Sequence, residues 1–410
     1  MFALIPVLFF LSGFTALIYQ MVWMRELILV FGASMFAIST LLTAFMGGLA
    51  LGSWIFGKRA DKFQNPLFIY ALLEVGIGAY AFIVPLLFSI LIPVYKSLSN
   101  LFEFSFYAFS LVRFILAILI LLLPTVLMGA TLPVLSQLYK NRKSVGRRVG
   151  LLYAFNTLGA VIGVLAAGFF LLPALGLQKT VFLAAGLNGL ISLLAFFLGR
   201  LKSSVIVPVL LPEKIDLPKK EKRTSQKVQP VLSRWDTLQR KVLLTVFAIS
   251  GLSAMIYEVV WTRILTLILG STVYSYATML STYLMGLAIG SFIFSLLLKR
   301  FFRPLLLLTL IQGGIALFGF LGEFVFPRLP DIFVEIMSTF HTWRLVRDTT
   351  KFILSAAVML LPTILMGGVF PLVIHILTKQ NPSKKESLGS IVGWAYAVNT
   401  VGTIIGSFAV

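Results

Sequence analysis

Residues 11–25 read LSGFTALIYQMVWMR and residues 249–263 read ISGLSAMIYEVVWTR. Both are apolar runs, and both place a tyrosine, an amide or carboxyl group, a tryptophan and an arginine at the same positions. A shift of 238 superposes them and carries the match further. Of the 45 positions in 11–55, 19 are identical in 249–293, including Gly13/Gly251, Tyr19/Tyr257, Trp23/Trp261, Arg25/Arg263, Gly48/Gly286 and Gly52/Gly290. Apolar composition alone does not align Tyr, Trp and Arg together, so the chain contains an internal repeat. The same shift pairs LPTVLMGATLP (123–133) with LPTILMGGVFP (361–371) and Arg113 with Lys351. A shift of 243 then pairs LYAFNTLGAVIG (152–163) with AYAVNTVGTIIG (395–406), so the second copy has gained five residues in a loop.

The background of the repeat is a membrane protein. Of 410 residues, 59% are hydrophobic and 12% charged, with mean hydropathy +1.01, far outside the range of water-soluble domains. A bilayer core needs roughly 20 apolar residues per helix. Runs of that length fall near 4–30, 34–57, 66–94, 107–138, 148–172, 178–199, 242–269, 272–298, 302–327, 349–378 and 390–410, about eleven spans in all. The start, MFALIPVLFFLSGF, lacks the basic opening and cleavage site of a secretory signal and reads as the first span. There is no cysteine, and His341 and His375 are too few and too far apart for a metal motif, so no metal and no cofactor are expected.

The net charge of +20 has a membrane explanation. Of the 34 Lys and Arg, 25 lie in alternate loops on one side, including Lys58, Arg59 and Lys62, Arg142 to Arg148, eleven between Arg200 and Lys241, and Lys379 to Lys385. The positive-inside rule places that side, with the N-terminus, in the cytoplasm of a cell (inner) membrane. The basic segment containing PKKEKRTSQK reads as a linker lying on anionic headgroups, and nucleic acid is not needed as a partner.

Six spans separate matching elements, and an even number restores orientation, so the halves are parallel repeats about an axis along the membrane normal. Residues 1–200 form the first six-helix repeat, 201–241 the linker and 242–410 the second repeat. This all-α bundle resembles the major facilitator plan. Only four residues follow Gly406, so the expectation is that the chain stops inside its eleventh span and lacks the last helix of that plan.

The costly residues fall on particular spans. Gln20 and Arg25 lie on the first, Arg113 on the fourth, Glu258 and Arg263 on the seventh and Lys351 on the tenth. Charges in a bilayer cost ~2.5–3.5 kcal/mol each on insertion scales and usually face a bundle interior or an aqueous cavity. In the facilitator arrangement these four spans line the central cavity. Tyr19, Gln20, Arg25, Arg113, Tyr257, Glu258, Arg263 and Lys351 are therefore the candidate solute-binding residues. Glu258 could alternatively be paired with Lys351 or Arg113 and fix how the halves dock. Glu74 and its repeat mate Gln312 exchange carboxyl and amide relative to Gln20 and Glu258, and serve either coupling or structure. Gly48/Gly52, Gly159/Gly163, Gly286/Gly290 and Gly402/Gly406 are small-xxx-small pairs, either joining the halves or packing neighbours.

The pairing of SGFTALIYQMVWMREL with SGLSAMIYEVVWTRIL resembles the membrane portion of fused facilitator/spermidine-synthase-like proteins, and GKRADK (57–62) resembles a short loop motif of facilitators. That resemblance implies a membrane module that binds or moves a small solute, with a polyamine as first candidate. It implies aminopropyl transfer only for a synthase domain continuing the chain, because no strand followed by a glycine-rich turn and an acidic residue occurs here. The alternative function is a membrane anchor and regulator for such a fused or partner enzyme, with no transport of its own.

Overall fold

A computed structural model describes residues 4–31, 35–101, 106–140, 145–204, 234–270, 272–298, 300, 303–339, 344–379 and 386–409. The core of the basic linker (205–233), His341, Lys384 and Lys385 lie outside the described residues, as does the side chain of Arg113. Among the described residues every regular element is helical: α1 (Leu4–Phe31), α2 (Met35–Arg59), α3 (Pro66–Leu101), α4 (Phe106–Ser136), α5 (Val145–Leu165), α6 (Leu172–Ser204), α7 (Arg234–Leu269), α8 (Val273–Leu297), α9 (Pro304–Val325), α10 (Leu329–Thr339), α11 (Arg344–Lys379) and α12 (Leu388–Phe408).

Ten continuous helical stretches among these residues are long and apolar enough to cross a membrane. One of them, Val145–Leu201, spans 57 residues and is broken at Gly176, whose φ of 73° suits glycine and strains other residues. Counting that break restores the eleven expected spans. Its first part passes through a π-helical stretch, Ala166–Leu171, before α6. The hydropathy pattern did not anticipate α10, which at 11 residues is too short to span and carries Asp331 and Glu335 among its apolar residues. The spans also reach further than the apolar runs, since α7 starts at Arg234 and α11 at Arg344.

Pro124, Pro133, Pro362 and Pro371 sit inside α4 and α11. A proline removes one backbone N–H and frees the carbonyl four residues earlier, which in hydrocarbon has to find another donor. For Pro124 that carbonyl belongs to Ile120, and the Tyr80 hydroxyl of α3 donates to it at 3.0 Å.

The glycine pairs hold helices within each repeat together. A Cβ at Gly48 would meet Thr125 of α4, and one at Gly52 the Val126 carbonyl; at Gly159 and Gly163 it would meet the carbonyls of Phe10 and Phe14 on α1. The second repeat copies this: Gly286 and Gly290 against Thr363 and Ile364 of α11, Gly402 and Gly406 against Ala248 and Leu252 of α7. These glycines therefore bring neighbours within a half into backbone contact. Joining the halves falls to other residues of the same helices, because a helix has a second face. An amide reinforces each α1-type contact: Asn156 Nδ2 donates to the Phe9 carbonyl and Asn399 Nδ2 to that of Phe247, both at 2.9 Å.

Two seams join the halves, α2 with α12 and α5 with α8. Ser53 Oγ donates to the Gly393 carbonyl at 3.3 Å, and its repeat mate Ser291 donates to the Gly150 carbonyl at 3.1 Å. Thr43 and Ser407 share a hydroxyl hydrogen bond of 2.7 Å further along the first seam, and Gly168 abuts Ala277 further along the second. Both seams are thus built from small side chains and hydroxyls. The carbonyl contact predicts that Gly290→Ala destabilises the bundle by about 1–3 kcal/mol, the usual range for overpacking. Gly186→Ala, with no atom within 4 Å of the added carbon, leaves the thermal midpoint unchanged or higher in circular-dichroism melts.

Candidate functional site

A cavity of about 240 Å³ lies on the axis between the halves. Its walls are repeat mates facing each other. α1 contributes Phe9, Ser12 and Gln20, and α7 contributes Phe247, Ser250 and Glu258. α5 gives Tyr153, Asn156 and Thr157 against Tyr396, Asn399 and Thr400 of α12, while α2 gives Phe45 and Leu49 against Tyr283 and Leu287 of α8. Positions 12, 16 and 20, and 250, 254 and 258, recur every four residues and so form one stripe on each helix.

Glu258 is the only charged residue among the described lining residues. No described side chain forms an ion pair or hydrogen bond with its carboxyl group. Its repeat mate Gln20 also faces the cavity, so an amide and a carboxyl group look at each other across the axis.

At the end carrying the basic loops, aromatic rings close the cavity. Phe370 of α11 packs against Tyr153 at 4.8 Å between ring centroids, Tyr396 at 6.1 Å and Phe247 at 6.3 Å. Below them the Gln137 amide, oriented by its neighbours, donates to Asp61 at 3.3 Å and accepts from the Gly389 N–H at 2.7 Å. Arg240 and Glu386 form a two-pronged ion pair at 2.6 Å at the same end.

Tyr19, Tyr257, Arg25, Arg263 and Lys351 lie off the cavity. Tyr19 is fully buried within the first half; its ring stacks on Trp23 at 5.3 Å and its hydroxyl donates to Asn188 Oδ1 at 2.8 Å. Tyr257 packs its hydroxyl against Gly319 of α9 and its ring against Trp261 at 4.9 Å. Each tyrosine directly precedes a cavity-facing residue and so points about 100° away around the helix. Arg25 is exposed, and Arg263 is half-buried with its Nε lacking a partner among the described residues. Lys351 is buried but donates to Ser275 Oγ of α8 at 3.0 Å, so it does not pair with Glu258. Arg25, Arg263 and Lys351 therefore stay out of the cavity wall, and the Arg113 side chain lies outside the described residues.

Glu74 has an enclosed environment. It is wholly buried and accepts from Ser12 Oγ at 2.6 Å and from Asn188 Nδ2 at 2.5 Å, tying α3 to α1 and α6. Its mate Gln312 has no such setting, and its Nε2 is buried without a partner among the described residues.

Residues not singled out from the sequence fill much of the cavity wall: Asn156, Thr157, Asn399 and Thr400, together with Tyr153, Tyr396, Tyr283 and Phe370. The signal for the first four was present in the paired FNT and VNT of the repeat.

The sequence profile of the Major Facilitator Superfamily matches residues 4–407. The chain belongs to the Major Facilitator Superfamily. Solved facilitator structures have the same fold. The crystal structure of FucP in the outward conformation matches with TM-score 0.51 and 16% identity, over 100% of this chain and 89% of that one. A bacterial homologue of the iron transporter ferroportin, outward-facing with soaked iron, matches with TM-score 0.55 and 14% identity over 100% and 91%. The proton:xylose symporter XylE bound to 6-bromo-6-deoxy-D-glucose gives 0.53 and 12% over 99% and 86%. No curated protein matches the chain in sequence. At these identities the likeness concerns the fold, and this facilitator's chemistry has to be read from its own cavity.

The contrast between the two carboxyl groups yields a prediction. Glu74→Ala strands two buried donors and is expected to cost roughly 2–5 kcal/mol. Glu258→Gln removes no protein contact and is expected to stay within about 0.5 kcal/mol of the parent. Thermal melts of both variants in the same detergent check the order.

Proposed function

We propose that this facilitator moves a small organic cation across the membrane, bound in the central cavity against Glu258. The observation that carries the reading is an unpartnered carboxyl group in a cavity whose other described lining residues are neutral. A carboxylate held away from bulk water gains strongly from a cationic ligand and is costly without one. The aromatic rings of Tyr153, Tyr396 and Phe370 suit an ammonium group through cation–π attraction as well as an apolar body. Gln20, Asn156 and Asn399 supply neutral hydrogen-bonding groups that orient the ligand. The volume, about 240 Å³, lies below the roughly 300–1,000 Å³ typical of drug-sized ligand pockets and favours a small solute.

The resemblance to facilitator/spermidine-synthase fusions makes a polyamine the first solute to test. One carboxylate engages one ammonium at a time, which favours binding by the end of a short diamine over enclosure of a longer chain. The reading includes a topology, with the basic end and the N-terminus in the cytoplasm, supported by the 25 cationic residues in alternate loops. Alternating access would then separate α2 from α12 and α5 from α8 at one end while the small-residue contacts at the other end act as the fulcrum.

The test is counterflow of radiolabelled putrescine, spermidine and tetraethylammonium in proteoliposomes, with lactate as an anionic control. Saturable exchange of a cation that falls at least roughly tenfold in Glu258→Gln, the loss of one charge-assisted contact, is the expected outcome. Exchange of lactate with no cation exchange, or cation exchange unaffected by Glu258→Gln, overturns the cation assignment. No exchange of any solute favours the anchor function.

A further inference from the structure

A second depression, of about 300 Å³, lies at the basic end of the α2–α12 seam, outside the central cavity. Trp54 and Lys58 of α2, Arg240 of α7, and Glu386, Ser390 and Trp394 at or near the start of α12 line it. Counting from Arg59 and Leu388, the helix ends, the two tryptophans lie roughly 8–9 Å inside at 1.5 Å per residue. That is the depth at which amphipathic rings settle between headgroups and acyl chains. Both rings are partly exposed, at 36% and 42%.

The charges in the depression are unequal. Arg240 and Glu386 neutralise each other through their paired 2.6 Å contacts. Lys58 is exposed, with its ammonium 3.8 Å from the centroid of the Trp54 ring, and adds a positive charge that no described residue pairs with. The equivalent place on the α5–α8 seam carries Phe292, Leu296 and Leu151 where this one has Trp54, Lys58 and Trp394. Repeat packing therefore does not require the two indoles and the lysine, since the other seam closes with apolar residues.

We infer that this depression seats the phosphodiester of an anionic phospholipid from the surrounding leaflet. Lys58 and the Ser390 hydroxyl face the phosphate, the outer edge of the Arg240 guanidinium adds a third donor, and the two indoles flank the glycerol and the upper acyl chain. A zwitterionic headgroup brings its own ammonium beside the phosphate, whereas the surplus charge of Lys58 favours a lipid with net negative charge. Trp54 and Lys58 lie on α2 of the first repeat, and Arg240 on α7 and Ser390 and Trp394 on α12, helices of the second. A bound headgroup consequently bridges the halves and favours the arrangement in which α2 and α12 touch at this end. This site and its effect do not depend on which solute the central cavity takes.

The experiment is a circular-dichroism melt of the full chain in neutral detergent, titrated separately with phosphatidylglycerol, phosphatidylcholine and inorganic phosphate. Phosphatidylglycerol is expected to raise the melting temperature saturably, with little effect from phosphatidylcholine and none from phosphate. In Lys58→Gln and in Trp394→Leu, half-saturation should need roughly tenfold more phosphatidylglycerol, as expected for one lost charge-assisted or aromatic contact. Lys58→Arg retains the response, and Lys62→Gln, an exposed charge outside the depression, leaves it unchanged. Three results overturn the inference: an equal response in Lys58→Gln and the parent, an equal response to phosphatidylcholine and phosphatidylglycerol, or the full effect from inorganic phosphate alone. The first two indicate bulk lipid solvation and the third a free-anion site.

Discussion

Close approach of helix backbones, permitted by glycine, is the constraint on which the rest of this structure depends. Lipid tails are as apolar as leucine, so helices in a bilayer gain little by burying apolar faces against each other and rely on tight packing and hydrogen bonds. Here four glycine pairs let α2 meet α4, α5 meet α1, α8 meet α11 and α12 meet α7 at carbonyl contact. The Asn156 and Asn399 amides lock two of those contacts to specific carbonyls. Once those partners are drawn together inside each half, the halves meet mainly along two seams, with α5 against α11 and α4 against α12 adding smaller contacts. The space left on the axis is the cavity.

Polar groups follow the same division of labour. Glu74 sits where three helices of one half converge, and its hydrogen bonds to Ser12 and Asn188 cross from helix to helix. Ser12 also reaches the cavity wall, so the enclosed network and the open site share one hydroxyl. Glu258 lies on the axis without such support, in keeping with a group whose partner arrives from outside. The aromatic plug around Phe370 draws on α5, α7, α11 and α12, so closing that end involves both repeats at once.

The membrane spans and the internal repeat were legible in the sequence because hydropathy and the 238-residue shift depend only on residue type, whereas α2, α5, α8 and α12, expected to join the halves, also line the cavity. The side chains facing the cavity were harder to read. Tyr19 and Gln20 are adjacent and both polar, and only the rotation of the helix decides that the amide faces inward while the phenol turns toward Asn188. Lys351 looked like a partner for Glu258 because both lie on axis-lining helices. Its actual neighbour, Ser275, is a small residue on α8 that no pattern marked. The glycine pairs announced close contact but not with whom, since any neighbour satisfies a missing side chain. α10 escaped notice because 11 residues of mixed polarity give no membrane signal.

The inequality of Gln20 and Glu258 has an electrical consequence under the proposed function. A twofold pair of carboxylates would carry two charges through the membrane field with every turn of the empty protein, whereas this arrangement carries one. With a monovalent cation bound, the charge on Glu258 is matched and the loaded cavity crosses the field as a neutral unit. The membrane potential then acts on the unloaded return, by about 2.3 kcal/mol per charge for each 100 mV if the whole field is crossed. For a monovalent cation, one amide in place of a second carboxylate thereby confines the voltage-sensitive step to the unloaded return, whereas a diamine would leave one positive charge on the loaded cavity.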